Sequence, residues 1–125
     1  MAIYYPPIAG SVVICDFSGF KSPEMVKQRP VVVISPKHQA RAELCTIVPL
    51  STTPPNIVQP YHHEFRENPI PGRTEQTWAK CDMLATVATN RLDRVKISRG
   101  RYEIPRIAHD DLDAIRACIR HFLSL

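Results

Sequence analysis

The hydrophobic and polar positions change period once along the chain. Over most of its length the apolar residues form short runs, rich in valine and isoleucine, each closed by proline, glycine or small polar residues. Such runs predict strands. They fall at residues 11–17 (SVVICDF), 31–35 (VVVIS), 44–51 (LCTIVPLS) and 61–65 (YHHEF). Residues 77–82 and 84–88 predict two more strands meeting near Met83, and residues 92–97 alternate apolar and charged like a half-exposed strand. Residues 19–28 and 68–74 are loops, the second with two prolines and a glycine. Pro36 ends the second strand, while Pro49 inside the third predicts an edge position or a bulge. Near the carboxyl end the spacing becomes helical, at Leu112, Ile115, Ile119, Phe122 and Leu123. Asp110 is placed to cap that helix and Asp111 and Asp113 to favour its positive end, with Arg116, Arg120 and His121 in its second half. Short strands followed by one amphipathic helix predict a mainly β fold, a small curled sheet or barrel with the C-terminal helix packed on it.

Composition narrows the class more than the fold. A chain of 125 residues with 44% hydrophobic residues suits a single domain over residues 1–125 with a real core. Twelve prolines cluster at the turns. The net charge of +4 is compatible with a polyanionic partner. No secretory pattern opens the chain and no run approaches the roughly 18–20 apolar residues of a membrane span, so the expectation is a cytoplasmic protein without membrane contact. The four cysteines, Cys15, Cys45, Cys81 and Cys118, form no Cys-x-x-Cys pair. They are expected to be buried, reduced thiols rather than zinc ligands. His62 and His63 are adjacent, so in a strand they face opposite ways and cannot chelate one ion together. No metal and no cofactor is expected.

Three clusters carry candidate chemistry. Glu24 and Arg29 lie on the loop leading into the second strand. Ser51, Thr52 and Thr53 end the third strand in "PLSTTPP". Lys80 and Asp82, two residues apart in "WAKCDML", share one face if that segment is a strand. Singly these are a surface ion pair, turn hydroxyls and a strand-surface pair. In order along the chain ("GSVVICDF", a loop with glutamate, "KQRPVVVIS", "TIVPLST", "KCDML" and a terminal helix) they resemble the MazF/PemK toxins of type II toxin–antitoxin systems, over residues 10–123.

The resemblance implies an SH3-like small β-barrel. It also implies a homodimer, an antitoxin that masks the RNA groove, and a metal-independent, sequence-selective endoribonuclease acting on single-stranded RNA. Carried over by motif, Arg29 matches the family's arginine before proline, Thr52 its strand-end threonine and Ser51 the neighbouring hydroxyl. Glu24 matches a loop glutamate, and Lys80 and Asp82 match a basic residue and aspartate beside a cysteine. Lys27, in the same Lys-x-Arg-Pro motif, joins the substrate-binding set. One departure is the loop before Arg29, which has no glycine from Lys21 onward and is therefore stiffer than in relatives with glycine there.

These residue types suit the implied reaction. Metal-free cleavage uses the ribose 2′-hydroxyl as nucleophile, so it needs a proton acceptor, a proton donor for the departing 5′-oxygen, and positive charge on the phosphorane. Arg29 can hold two phosphate oxygens in its planar fork. Its pKa, above about 12, makes Asp82 or Glu24 the better acceptor, though the family is often described with arginine in proton transfer. Ser51 and Thr52 can donate to phosphate or the leaving oxygen, and Lys80 adds a cation. With no group in the set titrating near neutrality, a modest rate is expected. Trp78 and Tyr61 are candidates to stack on unpaired bases, and Trp78 is equally a candidate for the core or a dimer contact. Two further readings stay open: a non-enzymatic gyrase poison of the CcdB type on the same barrel, and an inactive barrel that only binds RNA or a protein partner. The first is disfavoured by an end, "RHFLSL", without tryptophan.

Overall fold

The computed structural model describes residue 3, residues 5–36 and residues 41–125. Among the described residues nine strands and one α-helix follow in order: β1 Val12–Asp16, β2 Gln28–Val33, β3 Leu44–Ser51, β4 His62–Glu64, β5 Trp78–Lys80, β6 Ala85–Ala88, β7 Leu92–Asp93, β8 Val95–Ser98, β9 Arg101–Glu103 and α1 His109–Leu123. Seven strands form one antiparallel sheet in the order β4-β5-β3-β2-β1-β7, with β6 also on β3, while β8 and β9 form a separate hairpin. The mainly β fold with a C-terminal helix is as expected. The sheet is open, since among the described residues β4 and β7 end the path without pairing to each other.

The prolines explain where the ladder breaks. β2 begins at Gln28, not Val31, so Arg29 and Pro30 are strand residues. The Val33 amide donates to Ser11 and the Phe17 amide to Lys27, which makes the Ile14–Pro30 pair non-hydrogen-bonded. The Pro30 nitrogen therefore faces β3, beyond the last β2–β3 pair, Val31 with Pro49. A missing amide proton costs nothing there, but it ends the ladder. Pro49 is on a central strand rather than an edge. By the same alternation its nitrogen faces the opposite side of β3, where the partner changes from β6 to β5.

At that change Leu50 faces Ala79 and Ile47 faces Ala85, so three steps along β3 correspond to six along its neighbour. The surplus is taken up by a 3-10 turn, Cys81–Met83. The expected strand over residues 77–82 thus stops at Lys80, and Asp82 lies on the turn, not on one strand face with Lys80. Residues 92–97 likewise divide into β7 and β8 around Arg94, where the chain leaves the sheet for the hairpin.

Strand alternation gives the sheet two apolar faces. On one, Val13, Cys15, Phe17, Val31, Val33, Ile47, Val87 and Leu92 pack together. On the other, Val12, Val32, Val48 and Leu50 pack with Ile115 of α1. The helix begins after Ala108, with no side-chain cap, so the expected Asp110 cap is not formed; Asp110 and Asp111 sit in the first turn, favourable to its dipole. His63 Nε2 and Asp111 Oδ1 lie 2.9 Å apart and tie β4 to that turn. His62 Nδ1 instead accepts the Gln59 amide at 3.0 Å, consistent with the two histidines facing apart. Among the described residues no helix is long and apolar enough to cross a membrane.

All four cysteines are free thiols, three of them buried. Burial pushes Cys15 up to about 11 and raises Cys45, Cys81 and Cys118 as well. The thiolate is the reactive species. Alkylation of Cys15 by iodoacetamide at pH 8 is therefore expected to run about 100-fold slower in the folded protein than in guanidinium. Mass mapping of the labelled cysteine checks this, and equal rates in both states would contradict the packing.

Candidate functional site

The broken ladder opens a notch. Where β2 and β3 stop pairing, Arg29 and Pro30 come from one strand end and Leu50, Ser51 and Thr52 from the other. The loop after β4 supplies the facing wall through Asn68, Arg73 and Glu75. The cavity is about 200 Å³ and partly open.

Arg29 is exposed, and its Nε donates to the Val26 carbonyl at 3.3 Å. Among the described residues no other hydrogen bond and no ion pair holds its guanidinium. Most of its five donors are thus available to an anion. Ser51 Oγ accepts the Thr53 amide at 3.1 Å, a local turn that fixes the chain carrying Thr52. Glu75 Oε1 accepts the Thr74 amide at 3.1 Å. Backbone amides of Glu75 itself and Thr74 hold its carboxyl below the usual carboxylate range, with the Arg73 guanidinium adding to the effect. Glu75 is therefore ionised at neutral pH and can accept a proton, though only as a weak base.

Of the residues singled out from sequence, the notch brings together Arg29, Ser51 and Thr52. Glu24, Lys27, Lys80, Asp82 and Trp78 do not line it. Glu24 Oε1 accepts the Lys21 amide at 3.0 Å, closing its own loop. Lys27 adopts a left-handed backbone (φ 67°), and its carbonyl accepts the Phe17 amide, so its main chain sets how β2 starts. Lys80 stands opposite His62 on β5. Asp82 lies on the turn beside α1, with Oδ1 buried and without a hydrogen-bond partner among the described residues. Trp78 is 7% exposed and next to Ser51 across β3–β5, and its indole N–H has no partner among the described residues. That burial leaves little ring face for a base. Tyr61 packs edge-on against Phe122 of the helix.

Arg73, Glu75 and Asn68 escaped the sequence reading, which took residues 68–74 as a loop and singled out no side chain from there to the strand at residue 77. The available signal was Ile70 between two prolines. It is buried, and Asn68 locks the loop over it, accepting the Ile70 amide at 2.9 Å and donating to the Glu75 carbonyl at 3.1 Å. Among the described residues no three His, Cys, Asp or Glu side chains gather as a metal site.

Comparison with known proteins bears on the family and the fold. Residues 8–123 match the family model for the PemK-like, MazF-like toxin of type II toxin–antitoxin systems. The chain is 32% identical over 122 residues to the uncharacterized protein YifN of Escherichia coli (strain K12), covering 80% of each chain. Among solved structures it resembles MazF from Deinococcus radiodurans, with a TM-score of 0.70 at 18% identity, covering 97% of this chain and 99% of that one. It also resembles a mycobacterial endoribonuclease solved in complex with its cognate antitoxin, with a TM-score of 0.66 at 18% identity over 95% of this chain and 96% of that one.

Proposed function

The chain belongs to the PemK-like, MazF-like toxin family of type II toxin–antitoxin systems, and from that membership we propose that it is a metal-independent, sequence-selective endoribonuclease acting on single-stranded RNA. The observation that carries this reading is the meeting of an unpaired arginine, Arg29, with Ser51 and Thr52 in one open notch. A guanidinium and hydroxyls around a small cavity suit a phosphodiester, whose charge grows in the transition state.

In this reading the 2′-oxygen forms a bond to phosphorus while the bond to the 5′-oxygen breaks, leaving a 2′,3′-cyclic phosphate and a 5′-hydroxyl. Arg29 binds the non-bridging oxygens. Thr52 donates a hydrogen bond to the phosphate or the departing oxygen, which takes its proton from solvent water. The proton of the 2′-hydroxyl passes to Glu75, which lines the Arg29 cavity, in preference to Asp82 or Glu24, which do not. Its lowered pKa makes that transfer inefficient, so a modest rate is expected. The protein acts as a homodimer in the cytoplasm, restrained by a cognate antitoxin, as the mycobacterial relative is seen with its own.

The test is purified protein on a defined single-stranded RNA in excess EDTA. Cleavage at a few preferred sites, with 2′,3′-cyclic phosphate at each new end by mass spectrometry, is expected. Intact RNA, or 3′-hydroxyl products, overturns the proposal.

A further inference from the structure

The notch is open at its inner end. Pro30 and Arg73 line both it and a second cavity of about 500 Å³, whose floor includes Ile14 and whose far wall is Arg94, Lys96 and Tyr102. This floor continues the apolar face beneath α1: the helix packs with Val12, Val32 and Val48, while Ile14 and Pro30 extend beyond it. From Ser51 to Asp93 the route crosses β3, β2, β1 and β7. Three inter-strand spacings are about 14 Å, room for a few nucleotides of single strand.

At its far end stands the β8–β9 hairpin. Val95 anchors it in the core, and Tyr102 is 42% exposed. The Arg94 guanidinium lies 5.5 Å from the Tyr102 ring centroid. Lys96 is the cross-strand partner of Tyr102. A further cavity of about 540 Å³, bounded by Arg94, Gly100, Arg101 and Tyr102, adjoins the same ring. The acids nearby are engaged: Glu103 pairs with Arg101 at 2.9 Å, Asp16 accepts from the Ser18 amide and hydroxyl, and Asp93 accepts the Arg94 amide at 2.7 Å. By contrast Arg91, also in the groove wall, is committed to the Asp16 and Ser18 carbonyls.

We propose that this hairpin is a second RNA subsite, in which an unpaired base stacks on Tyr102 and Arg94 and Lys96 hold the flanking phosphates. The proposal rests on the RNA reading above. A flat aromatic beneath an arginine, at the end of a cationic groove, suits a polymer that is planar and anionic at alternate points. An acidic protein segment would engage the cations and gain little from the ring. The subsite extends the contact beyond the scissile phosphate, so it adds affinity for longer strands.

The experiment is a binding titration by fluorescence anisotropy, using 2′-O-methyl RNA so that nothing is cut. A short strand covering the preferred cut site is compared with strands lengthened by a few nucleotides at either end. Wild type is expected to bind one of the lengthened strands more tightly. Tyr102→Ala is expected to lose roughly 5- to 150-fold in Kd for that strand, the range of one stacked base. Tyr102→Phe retains the gain, and Arg94→Gln loses part of it. The proposal is overturned if lengthening brings no gain in wild type, if Tyr102→Ala stays within twofold of wild type, or if Tyr102→Phe falls with it. It is also overturned if an acidic poly-glutamate peptide, and not RNA, loses affinity in Tyr102→Ala. RNA cleaved normally alongside any of these outcomes leaves the nuclease reading standing. Tyr102-dependent binding without cleavage of unmodified RNA removes the nuclease reading and leaves the subsite.

Discussion

Arg29→Ala is expected to lower kcat on single-stranded RNA by about 10²–10³-fold, the usual effect of removing one donor aimed at developing transition-state charge. Arg29 is exposed and spends one side-chain donor on the chain, at the Val26 carbonyl. Truncating it leaves the core untouched, so far-UV circular dichroism and the unfolding midpoint should match wild type. KM should change less than kcat, because the phosphorane carries more charge than the bound diester and an interaction made mainly there falls chiefly on the chemical step. Arg29→Lys restores charge but not the planar fork, and should recover only part of the loss. The measurement is single-turnover cleavage of one end-labelled RNA by the three proteins. Equal rates for wild type and Arg29→Ala would remove Arg29 from the reaction and the carrying observation with it.

Sequence patterning located this arginine because its neighbours are so constrained. Four β-branched residues after Arg-Pro can only be a strand, and a proline at that point marks where pairing ends. The pairing of Arg29 with the Ser51–Thr52 segment follows from two adjacent antiparallel strands whose apolar runs fix their register. Asp82 was harder. Its strand assignment rested on alternation through "WAKCDML", and nothing local reveals that β3 exchanges partners there and needs a turn to absorb the surplus. Arg73 and Glu75 reach the notch through a loop folded over Ile70, a long-range packing event with no periodic signature. β8 was read as the end of one alternating strand over residues 92–97, because alternation persists through Arg94 while the chain leaves the sheet, and β9 with its Tyr102 was not read at all. In each case the local pattern identified residue types and tertiary pairing decided where they point.

Ile115→Ala is expected to destabilise the protein by about 2–5 kcal/mol, the range for deleting most of a fully buried aliphatic side chain and leaving a cavity. Ile115 is 0% exposed and, with Leu112, is one of the two buried residues of α1. It packs among Val12, Val32, Val48 and Leu50, so it joins the helix to the three central strands. Against a typical total of about 5–15 kcal/mol, this places a large part of the stability of the fold on one contact. Urea unfolding followed by circular dichroism measures it, with the drop in midpoint at unchanged m-value giving the loss. Leu125→Ala, at a position 86% exposed, is the control and should stay within about 0.5 kcal/mol. A loss below about 1 kcal/mol at Ile115 would mean that α1 is not seated on this face. The groove floor at Ile14 and Pro30 would then no longer be bounded by the helix, and the route from Arg29 to Tyr102 would lose its physical basis. The stability measurement thus tests the same surface on which the cleavage and binding experiments depend, by a readout that involves no RNA.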